Sequence, residues 1–395
     1  MKQVKVALVG IGGYGGNAVN DILHNPDPLI NLVAVVEPYP ERCALYGELM
    51  EKKVPAYTNM DDLYANHKVD LTVISTPIFL HAMQIIKALE HGSNVLCEKP
   101  LCADELDIDK IASARDKSGK FVYIGYQWSY SSAITELKKD VLEGKFGDLI
   151  EMKCLVLRPR NRAYFDRGVG WAGKIRTADG QLIYDSVANN SAAHYLFNMM
   201  YIMGEEGKAA EAYDITAELL RANPIENFDI SKISFKMLNG AKACFIAAHP
   251  VFKGIEPVFE YRFEKGTVYY ASEPVDASYG LMPADYTEYG QIVAYMNDGT
   301  KKIYGNPMSN SCKKLHDAVQ AIADGVKGDG PCGLNATAAH TRLINFIQKN
   351  YTILNVKEAY LKEEDTFLFA DGLFEACVAC YKNTDVSILH FGNIK

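Results

Sequence analysis

Residues 1–37, MKQVKVALVGIGGYGGNAVNDILHNPDPLINLVAVVE, decide the fold. Val4, Val6 and Leu8 alternate along the chain as in a buried strand. Gly10, Gly12 and Gly15 then fall on G-x-G-x-x-G, with Ile11, Gly13 and Tyr14 between them. Helical spacing follows, with Val19, Ile22 and Leu23 on one face, and an apolar run over 32–36 ends on Glu37. Strand, glycine turn, helix, second strand and terminal acid stand in register. That is the full context of a dinucleotide-binding βαβ unit.

Each residue type has a task there. Gly10 permits the tight turn off the strand, Gly12 lets backbone approach a pyrophosphate, and Gly15 lets the helix pack close to the sheet. The helix N-terminus directs its N–H groups at the phosphates. Glu37 can accept hydrogen bonds from ribose hydroxyls and would repel a 2′-phosphate, which favours NAD over NADP. Arg42, close behind, is the one residue that speaks for NADP.

The same rhythm continues. Residues 41–53 read as a helix, 70–75 as a buried strand ended by Thr76 and Pro77, and 79–90 as an amphipathic helix. A strand over 94–97 runs into Glu98, Lys99 and Pro100, followed by a helix over 104–117 and a strand over 121–125. Strand and helix in alternation predict a parallel sheet covered on both faces. After about residue 126 the pattern changes. Alternating runs over 149–160, 212–222, 229–238, 241–250 and 257–270 predict a large, mostly antiparallel open sheet, with a hairpin turn at Asn239 and Gly240. Helices are expected over 134–142, 188–203, 313–324 and 336–351. The expected class is α/β: an N-terminal Rossmann dinucleotide-binding domain over 1–126, then an α+β domain over 127–395 for substrate binding and oligomerisation.

Composition narrows the partners. The 395 residues carry a formal net charge of −8 and are 48% hydrophobic. An acidic chain of this kind argues against nucleic acid or an anionic membrane as main partner. No apolar run is long enough to span a bilayer, and the opening residues run straight into a strand, so a cytoplasmic protein is expected. The nine cysteines are scattered and odd in number, and read as reduced, buried thiols. Cys377 and Cys380, three apart in a helical pattern, read as packing residues. No metal is expected, because no second ligand pair lies nearby.

Open parallel sheets bind ligands outside the carboxyl ends of their strands. Three such ends stand out: residues 10–15; Ser75, Thr76 and Pro77, continuing to His81; and Glu98, Lys99 and Pro100. Pro100 restricts Lys99 to an extended conformation. An ammonium there can hydrogen-bond a substrate hydroxyl and stabilise the alkoxide that precedes hydride loss, although a solvated turn lysine fits the strand position equally. His194 lies beside small residues Ser191, Ala192 and Ala193, with Asn190 one helical turn earlier; the alternative is a core histidine bonded to a carbonyl. Residues 158–176 hold five Arg and one Lys against one Asp, with Tyr164, Phe165 and Trp171. Such a stretch suits a lid or binding loop for a sugar bearing a carboxylate or phosphate, with Arg160, Tyr164 and Trp171 as contacts, or else a charged surface loop or subunit contact.

These segments resemble the Gfo/Idh/MocA oxidoreductases, which include glucose–fructose oxidoreductase and inositol dehydrogenase. Gly10, Ile11, Gly12, Gly13, Tyr14 and Gly15 match the cofactor turn. Ser75, Thr76 and Pro77 through His81 resemble the S-T-P-x-x-x-H segment, and Glu98, Lys99 and Pro100 the E-K-P signature. Gly125, Tyr126 and Gln127 resemble the crossover to the second domain, and His194, ten residues before Gly204, resembles the histidine of a D-x-G-x-H-x-x-D helix. The resemblance implies that Lys99 polarises the reacting oxygen and that His194 acts with it as acid/base or orients the substrate. It implies dinucleotide contacts from 10–15, Glu37, Ser75, Thr76, Pro77, His81, Glu98, Lys99 and Gln127, and substrate contacts from Tyr126, Asp185 and Asn190. It also implies homodimers or homotetramers formed through the second sheet.

The chain departs from the pattern at Asn190, Ala192 and Phe197, where the family carries Asp, Gly and Asp. Trp128 stands where many members carry a basic residue. Asp185 is a candidate substitute carboxylate. The expected activity is NAD(H)-dependent hydride transfer to or from a secondary hydroxyl or ketone of a sugar, glycoside or cyclitol. Two alternatives are glycoside cleavage by transient oxidation on tightly held NAD, and a non-catalytic dinucleotide- or sugar-sensing regulator.

Overall fold

The computed structural model describes residues 3–166 and 170–393. Arg167, Gly168 and Val169 of the basic loop lie outside the described residues, as do Met1, Lys2, Ile394 and Lys395. The chain divides into two compact units. The first takes the chain up to Tyr130, then Glu206–Lys208 and Asn310–Thr341; the second takes the remainder.

The first unit is built on β1 (Val4–Val9), β2 (Ile30–Val36), β3 (Ala56–Tyr57), β4 (Leu71–Ile74), β5 (Asn94–Cys97) and β6 (Val122–Ile124). They form one sheet in the order β3-β2-β1-β4-β5-β6, with every pairing parallel. β4 and β5 are buried along their whole length, which is why they read as continuous rather than alternating apolar runs. The strand order reverses at β1, and the glycine turn leaves from that point. The crossover helices are α1 (Gly16–His24), α2 (Tyr46–Glu51), α3 (Met60–Asn66), α4 (His81–Glu90) and α5 (Leu106–Ser118). Two of them are shorter than their periodicity suggests, because tight turns at Pro40–Arg42 and Ile78–Leu80 precede α2 and α4.

The second unit opens with α6 (Ser132–Leu142) and carries a nine-stranded sheet. Its strands are β7 (Leu149–Leu157), β8 (Tyr213–Arg221), β9 (Ile230–Lys236), β10 (Lys242–Ala248), β11 (Ile255–Phe263), β12 (Gly266–Ala271), β13 (Ile292–Met296), β14 (Lys301–Gly305) and β15 (Ile353–Asn355). The order is β14-β13-β12-β11-β7-β10-β9-β8-β15, antiparallel except at β7–β10 and β8–β15. The expected hairpin joins β9 to β10, with Gly240 at φ 85°. A short α7 (Arg162–Phe165) lies in the basic loop, and α8 (Ala193–Ile202) packs on β7. The expected helix over 188–203 is in fact two pieces, a π-helical turn at Val187–Ser191 and then α8.

Residues 310–341 return to the first unit, whereas the expected boundary put them in the second domain. α9 (Lys313–Ala323) lays Leu315, Ala318 and Val319 over β1, β4 and β5. The Ile124 amide donates to the Cys332 carbonyl (2.8 Å), and Tyr123 bridges Gly333, which covers the β6 edge. A helical period reveals that α9 buries a face, not which sheet receives it. α10 (Leu334–Asn350) follows.

The C-terminal segment adds a hairpin, β16 (Leu361–Glu364) with β17 (Phe367–Ala370), and α11 (Leu373–Lys382). Phe374, Cys377, Cys380 and Tyr381 of α11 share a core with Leu155, Leu157, Cys244, Ile246 and Val258 of the large sheet. Cys377 and Cys380 thus pack as small apolar groups, and burial pushes both thiols up, Cys380 to about 11. Farther along that face the charges are paired, Lys153 with Glu260 and Arg262 with Glu151, each at 3.3 Å. Among the described residues no helix is long and apolar enough to cross a membrane.

Candidate active site

In the first unit three strand ends meet. Gly10 turns off β1 at φ 84°, and a Cβ there would lie 2.8 Å from the Ser75 carbonyl oxygen. A Cβ on Gly15 would overlap the Gly10 carbonyl oxygen. Space beyond Gly13 is open. These glycines therefore hold a bare backbone turn against the end of β4, directly before α1. The Ile11 and Gly12 amides donate to Glu37 Oε2 (3.1 and 3.2 Å), and the Tyr39 amide donates to Glu37 Oε1 (3.2 Å). Arg42 stacks its guanidinium over the Tyr39 ring at 4.3 Å. A glycine turn free of side chains, with a carboxylate at the end of β2, fits a dinucleotide.

His81 clamps the other two strand ends together. Buried in the first turn of α4, it bonds the Pro100 carbonyl through Nδ1 (2.8 Å) and the Thr76 carbonyl through Nε2 (2.9 Å). Burial lowers its affinity for a proton while the two carbonyls raise it, and the balance falls below the ordinary value. A neutral imidazole donates only one N–H, so one of these contacts is the weaker at any moment. His81 holds the Ser75, Thr76 and Pro77 turn beside Lys99 and Pro100. It is a brace, with both ring nitrogens engaged by backbone. Thr76 donates to Gln84 Oε1 at 2.5 Å. Lys99 is half-buried.

Three further expected contacts are engaged within this unit. Glu98 forms an ion pair with Lys314 of α9, which is 5% exposed and also reaches the Gly125 carbonyl at 3.4 Å. Gln127 accepts from the Tyr14 hydroxyl at 2.9 Å. Tyr126 was expected to touch substrate. Tyr126 is 1% exposed and bonds His340 at 3.0 Å, and burial raises its phenol far above the ordinary value. Lys314 and His340 were not foreseen; each lies more than 200 residues along the chain from its partner, and nothing local marks it.

In the second unit Asp185, Asn190 and His194 lie about the π-helical turn. Tyr184 adopts φ 51°, a region costly for a residue with a Cβ, and its carbonyl accepts from Asn189 Nδ2 at 3.0 Å. That kink leads into Asp185, whose carboxylate accepts from Asn190 Nδ2 (2.7 Å) and the Gly173 amide (2.6 Å). Asp185 and Asn190 are therefore one hydrogen-bonded pair, and it ties the loop at Gly173 to the π-helical turn. His194 is half-buried on the first turn of α8. Since the helix starts at Ala193, Asn190 is not one helical turn from His194 on a single helix, and the expected shared face does not apply.

In the basic loop, Arg160 stacks over the Tyr164 ring at 4.5 Å, and that ring lies 5.5 Å from His249. Arg158 is held by Glu256, by the Ser191 carbonyl (3.2 Å) and by the Tyr195 hydroxyl (3.1 Å). Burial works against its charge, but Glu256 outweighs burial and keeps Arg158 cationic. Arg158 thus braces the π-helical turn, and the loop's cationic excess is smaller than its composition suggests.

Residues 4–126 match the model of a family described as an oxidoreductase family with NAD-binding Rossmann fold. Among curated proteins the chain is 28% identical over 206 residues to 2,7-anhydro-N-acetylneuraminate hydratase of Mediterraneibacter gnavus, covering 52% of this chain and 50% of that one. It is 29% identical over 159 residues to inositol 2-dehydrogenase of Corynebacterium glutamicum, covering 40% and 47%. The matched span is about half the length of these relatives. Among solved structures, the WlbA dehydrogenase of Bordetella pertussis, crystallised with NADH and UDP-GlcNAcA, superposes with a TM-score of 0.69 at 20% identity. It covers 88% of this chain and 96% of its own. Aldose–aldose oxidoreductase of Caulobacter crescentus superposes at 0.67 and 19% identity, over 88% and 97%. At such identities the structures speak for the fold alone, and the sequence matches make residues 4–126 similar to the NAD-binding Rossmann domain of the Gfo/Idh/MocA oxidoreductases.

Proposed function

We propose that the protein is an NAD(H)-dependent oxidoreductase acting on a secondary hydroxyl, or its ketone, in a sugar, glycoside or cyclitol. The observation that supports it most is the meeting of three strand ends in the first unit: the glycine cradle, the Ser75 and Thr76 turn, and Lys99, with His81 clamping the last two. A bound nicotinamide takes up or supplies the hydride. The chain's own part is the proton. Lys99, as the neutral amine, accepts the proton of the reacting hydroxyl as the carbon–oxygen bond gains carbonyl character, and the resulting ammonium returns it in the reverse direction. His194 acts with it as acid/base or orients the substrate, as the family motif implies.

NAD is favoured over NADP, since Glu37 stands at the ribose end of the cradle and would repel a 2′-phosphate. Arg42 is committed to the Tyr39 ring, which leaves it a poor substitute for a phosphate clamp. The same reading has Arg160, Tyr164, Trp171, Asp185 and Asn190 contact the carbohydrate, in a cytoplasmic homodimer or homotetramer. α11 covers the centre of one sheet face, so the charged remainder of that face or another surface serves the contact.

Lys99→Ala tests the assignment. Turnover should fall by at least about a hundredfold, the scale of a lost general acid–base group, while NAD affinity by fluorescence titration stays within about threefold. Ordinary turnover in Lys99→Ala would remove Lys99 from the reaction. A second reading, transient oxidation on tightly held NAD to break a glycosidic or ether bond, draws on the hydratase relative and on Asn190, which cannot carry a proton as Asp does. Cofactor that co-purifies, with turnover needing no added oxidant, distinguishes it.

A further inference from the structure

Glu98 carries an ion pair in the first unit, and its partner lies 216 residues along the chain. Lys314, on the first turn of α9, forms an ion pair with it and donates to the Gly125 carbonyl at 3.4 Å. The same ammonium lies over the ring of Tyr14, 4.9 Å from its centre, and Tyr14 belongs to the glycine turn. Gly125 is small for this reason: a Cβ there would come within 2.8 Å of Glu98 Oε2 and 3.0 Å of Lys314 Nζ. One buried cation therefore ties together the end of β5, the end of β6 and the cofactor turn. Burial disfavours its charge, but Glu98 and then Tyr14 outweigh burial, and Lys314 remains protonated.

We propose that Lys314 is a positioning residue for the reaction: it neutralises Glu98 and fixes it beneath the glycine turn, so that Lys99, next in the chain, is presented with no unbalanced negative charge beside it. The inference rests on the proton role given to Lys99 above. Without Lys314 the Glu98 carboxylate would be buried and unpaired, one residue from Lys99, and would hold the Lys99 proton more tightly. The other titratable groups facing this cluster are Tyr14 from the glycine turn, Cys97 from β5, Cys312 ahead of α9, and His81 from α4, which responds to both Glu98 and Lys99. Burial raises both thiols, and none of the four replaces the lost cation.

The test reads Lys99 directly and needs no substrate. An amine-reactive reagent labels the intact protein across a pH series, and mass spectrometry follows the Lys99 peptide in wild type, Lys314→Met, Lys314→Arg and the double variant Glu98→Gln/Lys314→Met. The labelling midpoint should move up by roughly half to one pH unit in Lys314→Met, as for a newly unbalanced neighbouring charge. It should stay near wild type in Lys314→Arg, which keeps the charge, and in the double variant, which removes both charges. An unmoved midpoint in Lys314→Met overturns the proposal, as does a double variant shifted as far as Lys314→Met. Where Lys314→Met fails to fold, a midpoint displaced in Lys314→Arg, or a double variant whose midpoint has risen, overturns it. Turnover is measured in parallel: a wild type inactive on every sugar, with the midpoints as expected, counts against the proposed function and not against Lys314.

Discussion

Glu98 and Lys99 are neighbours in the chain with opposite employment in the structure: one carries a buried ion pair, the other is half-buried and carries the proposed chemistry. At this scale the glycine cradle was fully legible, because its demands are local. Gly15 is required by contact with the Gly10 carbonyl a few residues away. Gly15→Ala should weaken NAD binding by at least about tenfold, about 1.4 kcal/mol, since the added methyl forces the turn open. Unchanged affinity by titration would mean the turn does not carry the cofactor. Lys314 was illegible for the opposite reason: 216 residues separate it from Glu98, and no local pattern marks a lysine that will be buried.

At the scale of elements, α1 and α9 show what periodicity omits. Both were expected as helices, but not their clasp. His316 of α9 bonds Asp21 of α1 through Nε2 (2.7 Å) and Asp27 just beyond it through Nδ1 (2.8 Å). Burial disfavours the imidazolium, yet Asp27 and Asp21 outweigh it and raise His316 above its ordinary value. Burial likewise works against the Asp27 charge, but His316 and the Leu29 amide prevail and lower it. A histidine with a raised folded value contributes stability in full below its unfolded value, about 6.5, and loses it as pH rises through the folded value. Asp27 contributes above its unfolded value and loses it as pH falls through its lowered one. Wild type should therefore lose about 1 kcal/mol on moving from slightly acid to alkaline pH. His316→Gln should lack that slope in urea unfolding, and an identical slope in the variant would assign it to other groups. The π-helical turn at Val187–Ser191 escaped periodicity as well, because five residues are too few to show the shift in register that one inserted residue causes.

For the whole molecule, the alternation of strand and helix disclosed the first sheet, and the later run of alternating segments disclosed the second. β13 to β17 were missed, being short and flanked by polar turns that give a period of two little room. The return of residues 310–341 to the first unit was missed too, since contact between distant segments is decided by which apolar surfaces fit. That return supplies Lys314, His316 and His340 to the unit that carries the cofactor cradle. The account's central claim is that this chain moves hydride between a nicotinamide and a carbohydrate carbon. Its most direct measurement is NADH formation by the purified protein, after bound cofactor has been assayed, across sugars, glycosides, uronates and cyclitols. The account predicts that at least one of these reduces NAD, with Lys99→Ala inactive on the same compound. Tight NAD binding with no reduction by any of them would contradict it and leave a protein that binds dinucleotide without using it.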